Sequence, residues 1–551
     1  MSNPLRHLMT RRRFLAGSAG AGAALVASGC ASEQNTTSET KTSKLAIIHT
    51  NDTHGHDLLD KESLGLAAVA QLKADYQAKG YEVLLLDAGD LVQGEQLVGQ
   101  SKGMTAIGFY NEAGYDAMAL GNHEFDYGQD YIQKYAAEAN FPILSANTIV
   151  DATGETLVET NTVFTLGDGR KVGVFGLTTP ETYTSANVLF VRGITFLEEQ
   201  KLYDCAQAQA DELRKQGCDL VVCLAHLGED EINAPNRACD VAQHVSGIDL
   251  IINGHDHKEE NATHTDASGN PVLVVETGCF THAIGVVTWE DGKIAGTLVK
   301  YGEYDGQDAT VAASIQKVAD EVDESLGKVI GTTAFFLDGN RDPGLRTQET
   351  NLGDFVADAM LWEAQLSAKR APDAAFINGG GIRDSINEGD VTLRTIHNVY
   401  SFINYLCTVE VTGAQLLEAL EASCAACPKE LGGFPQVAGL NFSIDTTVPY
   451  QKGENYPNST HARPANPGGR ITITRVGNRD YNADDTYVIA SADFICNGGD
   501  TYYVFAESAQ KTMEGTGYQI ADVLQYYLQD ACKGEMPEQY REAQGRITIK
   551  S

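Results

Sequence analysis

Residues 45–56 read Leu-Ala-Ile-Ile-His-Thr-Asn-Asp-Thr-His-Gly-His, an apolar run that stops at a cluster of side chains able to bind a metal. A short apolar run bounded by polar residues and glycine is the pattern of a buried strand. The pattern recurs through the first half of the chain. VLLLDAGD ends at Asp87 and Asp90, AMALGNHE at Asn122, His123 and Glu124, DLVVCLAH at His226, and DLIINGHDH at His255, Asp256 and His257. Helical stretches near 63–79, 104–113, 128–139, 200–216 and 237–244 fall between or beside these runs, and KVGVFGLTT (171–179) supplies another strand. Such alternation predicts an α/β architecture with a largely buried sheet, and the run over 285–301 adds an antiparallel hairpin. In an open α/β sheet, groups just beyond the carboxyl ends of strands share one crevice. A single His after a strand is usually structural, but five strand ends carrying Asp, Asn or His point to one site.

The rest of the chain sets limits on that site. At 551 residues the length predicts two to four domains, and 42% hydrophobic with 21% charged residues is ordinary globular composition, not disorder or a small disulfide scaffold. No repeat of solenoid or propeller length is present. The 75 acidic residues against 40 Lys plus Arg give a net charge of -35, which excludes a nucleic-acid polymer as partner and disfavours anionic membrane surfaces. Any anion must therefore be bound locally. Val311, Ile315, Val318, Val322 and Leu326 fall at helical spacing in a polar stretch. They predict a connecting helix over 308–330 between a first domain at 45–307 and a second α/β domain at 331–551. In the second domain, helices are expected near 351–367, 413–424 and 520–532, with strands at RITITRV and TYVIASADFI.

The N-terminus is chemically distinct. Residues 1–29 hold Arg6, Arg11, Arg12 and Arg13 and no acid, and are followed within the segment by a small, apolar, Gly-rich run too short for a comfortable membrane span. Arg11-Arg12 with Phe14-Leu15 resembles a twin-arginine export signal. Ala27-Ser-Gly-Cys30 resembles a lipoprotein cleavage site, with Ala where Leu is usual. The expectation is export, lipid attachment at Cys30, a flexible tether over 31–44, and a place on the outer face of the cytoplasmic membrane or in the periplasm. Of the other ten cysteines, Cys424 and Cys427 form the only CxxC, and it reads as a local disulfide or as packing thiols, not as a redox site.

Carboxylate, amide oxygen and imidazole suit hard or borderline divalent ions without any thiolate. The strand-end inventory fits two ions better than one. With Asp90 placed to bridge, Asp52, His54 and His257 would hold one ion, and Asn122, His226 and His255 the other. Two such ions roughly 3.5 to 4 Å apart activate water and clamp a phosphate. Hydrolysis of a phosphate ester or anhydride is the implied reaction class.

Together the segments HTNDTHGH (49–56), LLLDAGD (84–90), GNHEFD (121–126), AHLG (225–228) and NGHDH (253–257) resemble the bacterial 5'-nucleotidase and UDP-sugar hydrolase family. The resemblance implies a four-layer calcineurin-like metallophosphoesterase sandwich followed by a substrate-binding α/β domain. It further implies that His123, oriented by Asp126, stabilises charge on the transferring phosphoryl group or the leaving oxygen. The competing reading makes Asp126 only a cap for the helix near 128. Zn, Mn and Co all remain open as the metal, and His49 and His56 are left outside the ligand set.

The second half carries the family's substrate segments. In FINGGGIRD, Asn378 and Arg383 would contact the base and the phosphate, and Arg346 would be a second substrate arginine. Phe402 and Phe494 would stack on a base from both sides, and Asp500 in CNGGD would accept a ribose hydroxyl. Ser401-Phe402-Ile403 departs from the family's usual Pro-Phe-Gly, so base preference stays open. The expected substrate is a nucleoside 5'-monophosphate, with UDP-sugars as a further possibility and rotation about the 308–328 segment bringing the two domains together. Alternatives are a 2',3'-cyclic-nucleotide phosphodiesterase with 3'-nucleotidase activity and a surface nucleotide-binding protein without turnover.

Overall fold

The apolar runs of the first half form the middle of two six-stranded sheets in the computed structural model, which describes residues 44–186, 190–457 and 459–550. The basic segment, Cys30 and nearly all of the tether lie outside the described residues. In the first sheet the Lys44–Thr50 strand pairs in parallel with Tyr81–Asp87, which pairs in parallel with Ala117–Ala119. In the second, Lys171–Thr178, Leu220–His226 and Leu250–Asn253 run parallel to one another. The hairpin expected near 285–301 is present as Ala283–Glu290 and Lys293–Lys300, and it forms an edge of the first sheet.

The two-residue period of the strands decides the layers. Leu45, Ile47, Leu84 and Leu86 point inward and meet Val172, Val174, Val222 and Ile252 of the second sheet. Ile48 and Leu85 point outward onto Val69, Ile107 and Ile132 of the helices Leu66–Ala78, Met104–Ala113 and Gln129–Glu138. Val221, Cys223 and Ile251 face Leu202, Leu213 and Val241 of Gln200–Lys215 and Ala238–His244. The result is helix, sheet, sheet, helix. Each fully buried Leu, Ile or Val stabilises this arrangement by about 1.5–3 kcal/mol relative to exposure. The parallel strands of both sheets end on the same rim of the sandwich.

The helix Ala309–Leu326 begins at Asp308, whose carboxylate accepts the Thr310 and Val311 N–H groups. Its Val311, Ile315 and Ala319 pack into the first half's core, so by packing this connector belongs to the first layer stack. A separate core begins at Ile330 and surrounds a five-stranded mixed sheet. There Ala374–Asn378 runs parallel to Thr486–Ala492. TYVIASADFI is not strand throughout: the strand ends at Ala492 and a short helix, Asp493–Cys496, follows. The Asp493 carboxylate takes the Tyr405 and Phe494 N–H groups, which satisfies donors at that break. The helix expected over 520–532 is α-helical through Tyr526 and then widens into a π-turn to Ala531. Cys424 and Cys427 are buried free thiols within this second core. Among the described residues no helix is long and apolar enough to cross a membrane.

Candidate active site

The strand ends converge as the parallel sheets require. Asp52, His54, Asp90, His255 and His257 all have positive φ, between 48° and 102°, a region costly for residues with a Cβ. The loops double back there to point side chains into one space. Gly121 and Gly254 make room for the carboxylates, because a Cβ at either would sit 2.2 Å from Asp90 Oδ1 or 2.7 Å from Asp52 Oδ2. Glu124 accepts the N–H groups of Asp90, Leu91 and Gly121 at 3.0, 3.0 and 2.6 Å, and so fixes the loop that carries Asp90.

The donor atoms of the cluster are disposed for cations. His54 Nδ1 donates to the Gln93 carbonyl at 2.9 Å, so its Nε2 lone pair faces His257 Nε2 at 3.3 Å. His226 Nδ1 donates to the Ala88 carbonyl at 2.8 Å, so its Nε2 lone pair faces Asp90 Oδ2 at 3.1 Å and Asn122 Oδ1 at 3.2 Å. Acceptors thus meet acceptors, an arrangement a positive ion relieves. Burial alone would hold His226 neutral, yet the charges of Asp90, Asp52 and Glu124 push its pKa up to about 10, so a proton on Nε2 supplies the positive charge when no ion does. The cluster attracts positive charge. Asp52, His54 and His257 form one compact set, Asp90, His226 and His255 a second, and His54, Asp90 and His123 a third, each with atoms within 4.8 Å of one another. Asp52 is as central as Asp90: its Oδ1 lies 3.5 Å from His257 and 4.0 Å from both His54 and His226. The residues present fit a divalent-metal centre.

His123 sits on a short 3-10 turn beside this cluster. Its ring Nδ1 is 2.7 Å from Asp126 Oδ2, and its backbone N–H donates to Asp90 Oδ1 at 2.8 Å. The helix after it is preceded by Gly128 with no side-chain cap, so Asp126 engages His123 instead of capping. Burial lowers the His123 pKa, but Asp126 and Asp90 outweigh it and the net direction is up. His49 lies outside this set, against Gly285, and burial drives its pKa down to about 3. His56 packs on Phe280, whose ring also meets His54 and His257.

One cavity joins the metal-competent side to the second domain. Asp90, Asn122, His123, Asp126, His255 and His257 line one side, while Arg346, Asn378, Arg383, Phe402, Phe494 and Asp500 line the other. Arg341, Asn404 and Glu181 line it too, and none of these three was singled out by motif. Arg341 is tied to Glu430 at 2.5 Å. Arg346 is half-buried beside Arg341 and Arg383, and desolvation followed by those two charges lowers its pKa to about 9. The arginine side therefore calls for anions. Asn378 and Asp500 pair with each other at 2.5 Å, and Asp500, also at positive φ, has its pKa raised to about 7 by burial and by Glu181. The Phe402 ring lies 5.7 Å from the His123 ring and 5.7 Å from the Arg383 guanidinium. It stands between the metal-competent cluster and the arginines. Phe494 is packed into the second core, and Gly499 lies directly on its ring.

Polar contacts hold the two sides together. Gln93, whose carbonyl orients His54, donates its side chain to Ser401 at 2.6 Å, one residue before Phe402. Asn398 donates to both Glu95 oxygens at 2.9 Å, and Arg394 pairs with Asp323 at 2.6 Å. Glu181, three residues beyond the Lys171–Thr178 strand, hydrogen-bonds His255 Nε2 at 2.7 Å. Its burial would raise its pKa, but the His255 bond and the charges of His255 and His461 hold it at about 2. Position was the available signal for Glu181, at a sixth strand end on the same rim. For Arg341 it was proximity to Arg346.

Residues 45–259 match the family described as calcineurin-like phosphoesterase, and residues 329–507 match the 5'-nucleotidase C-terminal domain. The trifunctional nucleotide phosphoesterase protein of Bacillus subtilis is 32% identical over 86% of this chain, and the chain spans only 33% of that longer protein. The Vibrio cholerae 5'-nucleotidase is 29% identical over 92% of this chain and 94% of its own length. The crystal structure of the Thermus thermophilus 5'-nucleotidase precursor superposes with a TM-score of 0.78 at 28% identity, covering 92% of this chain and 99% of that one.

Proposed function

Because the chain belongs to the 5'-nucleotidase family of calcineurin-like metallophosphoesterases, and is a metal-dependent phosphoric ester hydrolase, we propose that it removes phosphate from nucleoside 5'-monophosphates at a pair of divalent ions. The observation that carries this reading is the cavity in which a cation-seeking cluster faces half-buried arginines and aromatic rings. Asp52, His54 and His257 would hold one ion and Asn122, His226 and His255 the other, with Asp90 between them. Zn, Mn or Co would suit these donors. Bound there, the ions supply the activated water and Lewis-acid charge that phosphoryl transfer requires.

The chain's own residues do the rest. Arg346 and Arg383, with Arg341 beside them, bind and orient the anionic part of the substrate. Asp126 accepts the His123 Nδ1 proton and leaves Nε2 to stabilise the phosphoryl group or give a proton to the leaving oxygen. Phe494 and Phe402 offer faces to the base, and Asp500 accepts from a ribose hydroxyl. The Gln93–Ser401 hydrogen bond ties the loop that orients His54 to the segment that carries Phe402.

Export and a lipid anchor at Cys30 belong to the same proposal, supported by the basic, then apolar, N-terminal segment. UDP-sugar cleavage is a further proposed activity. A second reading, cyclic-nucleotide phosphodiesterase with 3'-nucleotidase activity, would use the same cluster with the base placed differently in the cavity. Phosphate release from AMP, UDP-glucose, 3'-AMP and 2',3'-cyclic AMP separates these readings, measured after chelation and after re-addition of Zn, Mn or Co. Metal-restored turnover of AMP above the 3' and cyclic substrates supports the first. The reverse preference selects the second, and no turnover with metal bound rejects both.

A further inference from the structure

We propose that Glu181 is a positioning residue: it fixes the His255 ring so that Nδ1 presents its lone pair to the metal cluster. The inference rests on the metal reading above. An ionised carboxylate only accepts hydrogen bonds, so the 2.7 Å contact of Glu181 Oε2 with His255 Nε2 places the proton on Nε2. Nδ1 is then the nitrogen left to join Asp90 and His226, whose donor atoms lie within 4.8 Å of one from His255. The His255 backbone is anchored independently, its N–H donating to Asp52 Oδ2 at 2.9 Å.

His255 differs in this from the other two ligand histidines whose orientation is visible. His54 and His226 are oriented by the neutral carbonyls of Gln93 and Ala88. A carboxylate behind a ligand imidazole fixes the ring more strongly and makes it a better donor. Glu181 is itself confined. It follows the buried Lys171–Thr178 strand and precedes the short helix Thr182–Ser185, whose Thr184 carbonyl accepts the Asp500 N–H at 2.7 Å. Its other oxygen lies 3.9 Å from Nε2 of His461, a buried ring nitrogen from the second domain. A carboxylate confined at the end of a buried strand aims the imidazole without freedom to follow it.

The test is zinc binding to the full chain after chelation, measured by competition with a chromophoric chelator and by metal analysis. E181A should bind one zinc 10- to 100-fold more weakly than the unsubstituted protein, with an unchanged unfolding midpoint of the metal-free form. E181Q, whose amide oxygen still accepts from Nε2 but carries no charge, should lose less than E181A and fall between it and the unsubstituted protein. E181L fills the same space without an acceptor and repeats the test should E181A not fold. Unsubstituted-protein affinity in both E181A and E181L, or equal losses in E181A and E181Q, overturns the role of Glu181 while leaving the metal reading intact. An unsubstituted protein that takes up no zinc overturns both.

Discussion

Exchanging Asp126 for Asn perturbs the dyad with almost no change in shape. The His123 and Asp126 side chains are 10% and 8% exposed, so their 2.7 Å bond is not a solvent-screened surface pair. A hydrogen bond to a charged group contributes about 1.5–3 kcal/mol, which predicts a fall in kcat on AMP of roughly 10- to 150-fold for D126N. Removing the imidazole in H123A forfeits the whole acid or charge-stabilising contribution, about 10²- to 10⁴-fold. Neither side chain belongs to the acceptor set around His226, so bound metal should be unchanged in both variants. The assay is steady-state kinetics on AMP and p-nitrophenyl phosphate, with metal analysis of the same samples. If His123 protonates the leaving oxygen, H123A loses less on the aryl phosphate, whose leaving group needs no proton. If it stabilises the phosphoryl group, the two losses match. An H123A enzyme within twofold of the unsubstituted enzyme on AMP, with metal bound, refutes the dyad; D126N more damaged than H123A refutes the idea that Asp126 acts through His123.

Base stacking contributes about 1–3 kcal/mol, so F494L, which keeps most of the packing, should raise KM for AMP roughly 5- to 150-fold while sparing p-nitrophenyl phosphate. Equal losses on the two substrates would remove Phe494 from the base site. Asp57 is buried with neither oxygen hydrogen-bonded, and burial followed by the charges of Asp87 and Glu95 raises its pKa from 3.8 to about 8. The folded state therefore holds this proton more tightly than the unfolded chain, and the associated stability is present below pH 4 and lost as pH rises towards 8. At about 1.4 kcal/mol per unit the loss approaches about 6 kcal/mol, partly offset in D57N by roughly 1–3 kcal/mol for an unpartnered amide. The melting temperature of D57N should exceed that of the unsubstituted protein at pH 8.5 and not at pH 5, and a difference independent of pH would contradict the assignment.

What could be read in advance was whatever a short segment decides alone. An apolar run ending in Asn-Asp-Thr-His is a strand delivering ligands to a rim whatever follows it, and all seven proposed ligands do lie on that rim. Pairings set by tertiary closure were not accessible. Nothing in FINGGGIRD says that Asn378 will spend its amide on Asp500, 122 residues away, or that Phe402 will reach His123 from the other half of the chain. Glu181 was hidden for a different reason. Thr-Thr-Pro-Glu is an unremarkable loop sequence, and only the parallel register of Lys171–Thr178 with Leu220–His226 brings Glu181 beside His255. Asp126 was ambiguous because a carboxylate two residues before a helix can cap it or serve a neighbouring ring, and Gly128 at the helix start settles which.

The two sides of the cavity are each unfavourable alone, for opposite reasons. On one rim ring nitrogens of His54 and His226 and oxygens of Asp90 and Asn122 converge on a space that calls for positive charge. On the other, Arg341, Arg346 and Arg383 lie half-buried together, with Glu430 the carboxylate bonded to one of them. Cations relieve the first side but leave the second unpaired. An anion relieves the second but is repelled by the carboxylates of the first unless the cations are already there. A phosphate ester with divalent metal satisfies both sides at once, so the net charge of -35 does not oppose phosphate binding at this point in the molecule. The same reasoning orders the events: metal must precede substrate, and a metal-free enzyme should bind AMP more weakly as well as fail to hydrolyse it.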